Sequence, residues 1–210
     1  MDIIKTIMKI ILRTKKNLKV FMITFLFTHP SFAEKISLNT ISNYINELTM
    51  LKADFEQINS NGSIETGKIY IRRPGKMRLE YAAPSNALVI AGAGSIAIFD
   101  NKTKSGPVQF PLNQTPLKIL LTDDINLVNN NIVYDHSIDG KNTHIVIQDP
   151  ERVSQGRIEM VFSNSPINLL GWIITNQAKQ KTTIKLSKLN KDIKIPLYLF
   201  NIDIAVKNKN

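Results

Sequence analysis

Residues 67–100, GKIYIRRPGKMRLEYAAPSNALVIAGAGSIAIFD, constrain the fold more than any other stretch. They read as short strands in series, broken at Pro74-Gly75, at Ala83-Pro84-Ser85-Asn86 and at Gly92-Ala93-Gly94. In the first two strands the side chains alternate. Ile69 and Ile71 share one face, as do Met77, Leu79 and Tyr81, while Lys68, Arg72, Lys76, Arg78 and Glu80 fall on the other. A meander with one apolar face must have that face covered. The exception is Arg73, whose parity places it beside Ile69 and Ile71. An unpaired buried cation costs several kcal/mol, against a net domain stability of about 5–15 kcal/mol. Arg73 must therefore pair with an acid such as Asp123 or Asp124, donate to backbone carbonyls of a covering helix, or snorkel its head to water.

Two helical stretches are available as cover. Leu38, Ile41, Ile45, Leu48 and Leu51 recur at helical spacing, with Ser37 or Asn39 as N-cap. Thr115–Thr122 follows the same logic, with Thr115 as cap and Pro116 in the first turn. Asp123–Val128 is expected as a second short helix with acids in its first turn. Lys52–Ile58 reads as the first strand, and the polar stretch Asn101–Gln114 as a loop with one weak strand. Further strands are expected at Ile132–Ser137, Thr143–Gln148, Gly156–Phe162, Ile167–Asn176 and Lys179–Leu186. Pro196–Phe200 is expected as a last edge segment and residues 206–210 as a frayed tail. The sum is about ten short strands in series, mainly β with helices, which suggests one large curved antiparallel sheet or incomplete barrel whose concave apolar face the helices cover.

The N-terminal 33 residues read as a cleavable signal peptide. Basic residues from Lys5 to Lys19 precede the short apolar run Val20–Thr28, and Ser31-Phe32-Ala33 offers a cleavage site. Residues 34–205 are then expected to form one exported domain. Without the leader the net charge falls from +10 to +5, which attracts anionic surfaces without demanding nucleic acid. The chain has no Cys, so neither disulfides nor a lipid-modified cysteine are available.

Catalytic constellations are missing. The motif Gly92-x-Gly94-x-x-Ala97 mimics a dinucleotide fingerprint, but the β-branched Ser95–Asp100 follows where a helix is required, so a Gly-rich hairpin is the better reading. His136 and His144 flank the Asp139-Gly140 turn, where they either face each other as a two-histidine metal pair or sit exposed on a hairpin. Basic residues lack the interleaved aromatics of a nucleic-acid surface. No enzyme, no cofactor and no nucleic-acid partner are expected, and a monomer is.

Leu51-Lys52-Ala53-Asp54-Phe55-Glu56-Gln57, the run from Gly67 through Arg72-Arg73-Pro74 to Tyr81, and the Thr115-Pro116-Leu117 helix together resemble the periplasmic outer-membrane lipoprotein carrier family, LolA. The resemblance implies a fold that is mainly β with helices: a single open (incomplete) antiparallel β-barrel of about ten to eleven strands, its apolar cavity covered by a helical lid. It implies that Arg73 hydrogen-bonds to the lid helices and holds the empty cavity shut. The cargo would be lipoprotein acyl chains, received from an inner-membrane ABC transporter and passed to an outer-membrane receptor. Cavity-lining residues are then expected at Ile69, Ile71, Met77, Leu79, Tyr81, Ile90 and Phe99, and lid residues at Leu48, Leu117, Leu120 and Leu121. Met77 stands where familiar members carry an aromatic, and Pro196–Asn210 departs from the family pattern. Other readings are a carrier that is also its own receptor, or a lipid-sensing regulatory protein on the same half-barrel.

A magnitude limits the mechanism. Three acyl chains of about fifteen CH2 groups each, fully buried from water, gain roughly 36 kcal/mol. That exceeds the ~18–21 kcal/mol ceiling of non-covalent affinity. A releasable cargo requires a cavity partly filled by its own lid side chains.

Overall fold

The computed structural model describes residues 34–100, 106–129 and 131–209. The expected signal peptide, residues 1–33, lies outside them. Eleven antiparallel strands form one open sheet: β1 (Met50–Ile58), β2 (Ile64–Arg72), β3 (Lys76–Tyr81), β4 (Leu88–Gly92), β5 (Ser95–Phe99), β6 (Val108–Pro111), β7 (Val133–Asp139), β8 (Asn142–Ile147), β9 (Arg157–Asn164), β10 (Ile167–Thr175) and β11 (Lys181–Asn190). The order is β6-β5-β4-β3-β2-β1-β11-β10-β9-β8-β7. Two meanders thus meet at the centre, where β1 pairs with β11, and the edges β6 and β7 stay apart. The expected fold class is what the chain adopts.

Register explains the inner face. Leu51 pairs with Ile71, Ile71 with Met77, Met77 with Ala91, Ala91 with Ile96, and Ile96 with Phe110. Directly opposed residues share a face, so this is one apolar row across six strands. Ile145, Ile158, Met160, Phe162 and Trp172 continue the same core from β8, β9 and β10. The outer face of β1–β3 is charged, with ion pairs at Lys188–Asp54 (2.8 Å), Lys185–Glu56 (3.1 Å) and Arg78–Glu80 (2.7 Å).

Three α-helices occur among the described residues. α1 (Leu38–Glu47) begins at Ser37, whose hydroxyl accepts from the Thr40 amide at 3.1 Å, and buries Ile41, Tyr44 and Ile45. The short α2 (Leu117–Leu121) lies in the connection between the two sheet edges and buries Leu117, Leu120 and Leu121. Thr115 does not cap it, because its hydroxyl donates back to the Leu112 carbonyl at 2.9 Å. Residues 123–128 are not helical; Ile125 and Leu127 are buried there in irregular chain.

The C-terminal end differs most from expectation. Pro196–Phe200 is not an edge strand but leads into a 3-10 turn (Leu197–Phe200), and α3 (Ile202–Lys209) replaces the expected frayed tail. This segment lies on the outer face of β2–β5. Arg72 donates to the Ile195 carbonyl (2.6 Å) and Arg78 to that of Leu199 (3.1 Å). At Gly92 the Phe200 carbonyl comes so close that any Cβ would collide with it. Beneath α3 a second apolar cluster forms from Leu88, Ile90, Ala97, Phe99 and Ala205.

Candidate functional site

Arg73 is the first residue beyond β2, and it points inward with only 8% of its surface exposed. Its amide donates to the Thr49 carbonyl at 2.8 Å, which anchors the turn beside the end of α1. The guanidinium then reaches both helices. Nε and Nη2 donate to the Thr122 carbonyl at 2.9 and 2.7 Å, Nη2 also to that of Asp123 at 3.2 Å, and Nη1 to the Ile45 carbonyl of α1. Ile45 lies in the last turn of α1, where its carbonyl also accepts from the Leu48 amide, and Thr122 and Asp123 lie just past α2, at helix ends where the local dipole is negative. A planar five-donor cation suits that position. Of the alternatives open to Arg73, backbone donation is the one observed. Burial pushes its acidity upward, and the nearby Asp123 and Asp124 charges pull it back. The guanidinium stays charged throughout ordinary pH.

Other contacts join the same parts. The Gly75 amide, in the β2–β3 turn, donates to the Leu121 carbonyl at 2.8 Å. Asn46 on α1 donates to the Asp124 carboxylate (2.7 Å) and the Ile125 carbonyl (3.0 Å), and accepts from the Ile125 amide (3.0 Å). Buried Ser42 accepts from the Leu127 amide at 3.0 Å while donating to the Leu38 carbonyl. Helix α1 and the 122–127 segment therefore act as one cover. Tyr44 ties that cover to the far half of the sheet: its hydroxyl accepts from the Leu169 amide (3.0 Å) and its ring meets Phe162 edge-on. Neither Ser42 nor Asn46 was legible as a contact. Their only sequence signal is a polar pair four residues apart, flanking the apolar stripe.

Beside this cover the inner face is open. A cavity of about 420 Å3 is lined by Met77, Leu79, Val89, Ile96, Ile98, Phe110, Leu117, Trp172, Ile174 and Ile184, with polar Gln57, Tyr81, Gln114, Thr115, Gln155, Asn176 and Thr182 among them. Of the expected lining residues, Met77, Leu79 and Tyr81 are in this wall. Ile69 and Ile71 lie on the same inner face but are fully buried in the core beneath the helices. Ile90 and Phe99 are not on this face. The pairing of Leu79 with Val89, and of Val89 with Ile98, turns Val89 and Ile98 inward, and sends Ile90 and Phe99 to the outer cluster under α3. The signal for this was present: β4 and β5 are apolar on both parities, as strands covered on both faces are. Leu48, Leu120 and Leu121 are buried in the core under the cover, and Leu117 alone of the four expected lid residues also lines the cavity.

At the mouth, Phe55 lies against Gly67, where a Cβ would meet both the Phe55 ring and the Glu80 carbonyl. Phe55 packs edge-on to Tyr81 (centroids 5.1 Å apart), and the Tyr81 hydroxyl donates to Gln57 Oε1 at 2.7 Å. His136 and His144 form no pair. His136 is opposite Ile145 and His144 opposite Ser137, so the two imidazoles lie on different faces, one at the Ile36 carbonyl (2.9 Å) and one at Glu159 (2.8 Å). No group of ligands able to hold a metal occurs among the described residues.

The sequence is similar to known proteins over most of its length. Residues 46–203 match the family model described as "Outer membrane lipoprotein carrier protein LolA". The outer-membrane lipoprotein carrier protein of Legionella pneumophila (strain Corby) is 27% identical over 191 residues, covering 87% of this chain and 93% of that one. That of strain Lens is 26% identical over 194 residues, covering 88% and 94%. Among solved structures, a LolA superfamily protein from Nitrosomonas europaea superposes with a TM-score of 0.45 at 9% identity, covering 80% of this chain and 99% of that one. The chain belongs to the LolA family of outer membrane lipoprotein carrier proteins.

Proposed function

We propose that this protein is a periplasmic carrier that takes up the acyl chains of lipoproteins released from the inner membrane and delivers them to the outer membrane, without a chemical step. The observation that carries the reading is Arg73, a buried cation whose guanidinium donates to backbone carbonyls at the ends of the two covering helices beside an apolar cavity. A cation so placed closes the cover without filling the cavity. Leu117, at the junction of cover and cavity, is the side chain that lipid displaces first. The cavity volume falls in the ~300–1,000 Å3 range of ligand sites. Longer or additional chains enter by lifting the cover, and breaking the Arg73 bonds offsets part of the hydrophobic gain, so cargo can leave again. Family membership supports the cargo class, the compartment and the partners: a lipoprotein-releasing ABC transporter as donor and an outer-membrane receptor as acceptor.

The test is transfer of a lipoprotein from donor membranes to the protein, then from the protein to outer-membrane acceptors. Arg73→Leu is expected to load normally and to release slowly. Release at the wild-type rate would contradict the proposal.

A further inference from the structure

The polar groups at the cavity mouth form a chain with a fixed direction. Tyr81 donates its hydroxyl to Gln57 Oε1 (2.7 Å), Gln57 Nε2 donates to Asn59 Oδ1 (2.7 Å), and Asn59 Nδ2 donates to Glu65 Oε2 (3.0 Å) and to Ser63 Oγ (2.9 Å). An ionised carboxylate only accepts. Glu65 therefore obliges Asn59 to turn its amide nitrogen outward along β2 and its oxygen toward Gln57. Gln57 must then present nitrogen to Asn59 and oxygen to Tyr81. Burial, reinforced by the Glu65 charge, pushes the Tyr81 phenol up to about 12, so it remains a donor.

Beyond these contacts the Gln57–Tyr81 pair keeps one donor, the second amide hydrogen of Gln57, and acceptor lone pairs on the Tyr81 oxygen and on Gln57 Oε1. One donor beside one acceptor is the complement of an amide, and the donor alone suits an ester carbonyl. The described residues lining the cavity include no charged side chain. Gln57 and Glu65 are opposite each other in the β1–β2 register, so Glu65 stands on the same face as the mouth. Lys181, the nearest cation in sequence on β11, precedes the cavity-lining Thr182 and has the opposite parity. At the Gln57–Tyr81 pair an anionic head group would meet the Glu65 carboxylate, while Arg152, near the Gln114 and Gln155 side of the cavity, already faces Asp149 and the Asn113 carbonyl.

We propose that the Glu65-directed Gln57–Tyr81 pair is a head-group filter: it binds the uncharged amide and ester linkages of an acylated, diacylglyceryl-modified cysteine and turns away phospholipids. This rests on the carrier reading and adds how the site distinguishes lipoprotein from the membrane lipid around it. Gln57 and Tyr81 would touch the ligand, and Glu65 is a positioning residue that sets the sense of the chain.

The experiment measures displacement of an apolar fluorescent dye by two ligands with the same pair of palmitoyl chains. One is an N-acetyl, S-dipalmitoylglyceryl cysteine peptide amide, and the other is dipalmitoyl phosphatidylglycerol. The wild-type protein is expected to favour the lipopeptide by about tenfold, the scale of one or two net hydrogen bonds plus the avoided repulsion. Glu65→Lys should bring the ratio to one or below, and Glu65→Gln should reduce it. The ratio is the readout, because a variant that merely loosens the fold weakens both ligands alike. A wild-type ratio near one, or a ratio unmoved in Glu65→Lys, overturns the filter while leaving the carrier reading in place. Failure of both lipids to displace the dye overturns both.

Discussion

Arg73 donates two of its nitrogens, Nε and Nη2, to the single carbonyl oxygen of Thr122, at 2.9 and 2.7 Å. The same guanidinium holds the Ile45 carbonyl, so one side chain joins the ends of two helices that are otherwise far apart in sequence. Arg73→Leu is expected to leave the sheet intact and to free the cover. A hydrogen bond from a charged donor contributes about 1.5–3 kcal/mol, so exchange of amides at the α1 end and around residues 121–127 should accelerate by at least tenfold. Arg73→Lys should accelerate it nearly as much, because an ammonium cannot span both carbonyls with one fixed fork. Hydrogen exchange monitored by mass spectrometry reads this directly. Protection unchanged in both variants would mean that apolar packing alone holds the cover.

Ser42→Ala tests the other side of the cover. It removes the acceptor of the buried Leu127 amide and leaves that donor unsatisfied. The expected loss is about 1–3 kcal/mol in urea unfolding, with an unchanged m-value.

Much of the fold was legible because alternation in residues 67–81 is strict, and because turn residues punctuate the chain at strand spacing. The inward direction of Arg73 followed from the same alternation. The placement of Ile90 and Phe99 did not, because β4 and β5 are apolar on both parities and only the pairing register chooses between them. Apolar residues on both parities signalled a cover on each face, but not which element supplies the outer one. Helix α3, IDIAVKNK, has little amphipathic pattern, and its docking depends on backbone carbonyls of Ile195 and Leu199, which carry no residue signature. Gln57 and Glu65 fall in strands whose cross-strand partners are invisible until the register is known.

Gly92→Ala follows from that hidden docking. The new methyl collides with the Phe200 carbonyl, and backbone cannot yield as a flexible side chain does. A destabilisation of about 1–3 kcal/mol is expected, together with faster proteolysis after residue 195 as the C-terminal segment lifts. Limited proteolysis with an intact β-sheet signal in circular dichroism would separate this from global unfolding.

Residues 34–36, held against β7–β9 by bonds such as that of the Ile36 amide to the Thr143 hydroxyl (3.0 Å), give a pH dependence. Burial, then the Lys35 charge, holds the His136 imidazole below its ordinary 6.5, while its bond to the Ile36 carbonyl and the Asp135 charge pull it partly back. The unfolded chain therefore takes up this proton at a higher pH than the folded one. The associated stability is present above about pH 6.5 and is lost as pH falls from there through the lower value of the folded protein. Denaturation at pH 7.5 and pH 5 should show a smaller drop for His136→Gln than for wild type. An equal drop in both proteins would place the acid sensitivity elsewhere.

The central claim, that Arg73 holds shut a cover which lipid lifts, is tested most directly by a distance. The chain has no Cys, so Asn43→Cys on α1 and Thr66→Cys on β2, both exposed, give a unique pair of spin-label sites. Electron–electron double resonance should find one narrow distance in the unloaded wild type. The account predicts a longer and broader distribution both in Arg73→Leu without lipid and in wild type loaded with a diacylated lipopeptide. The same narrow distance in all three samples, with lipid demonstrably bound, would contradict it.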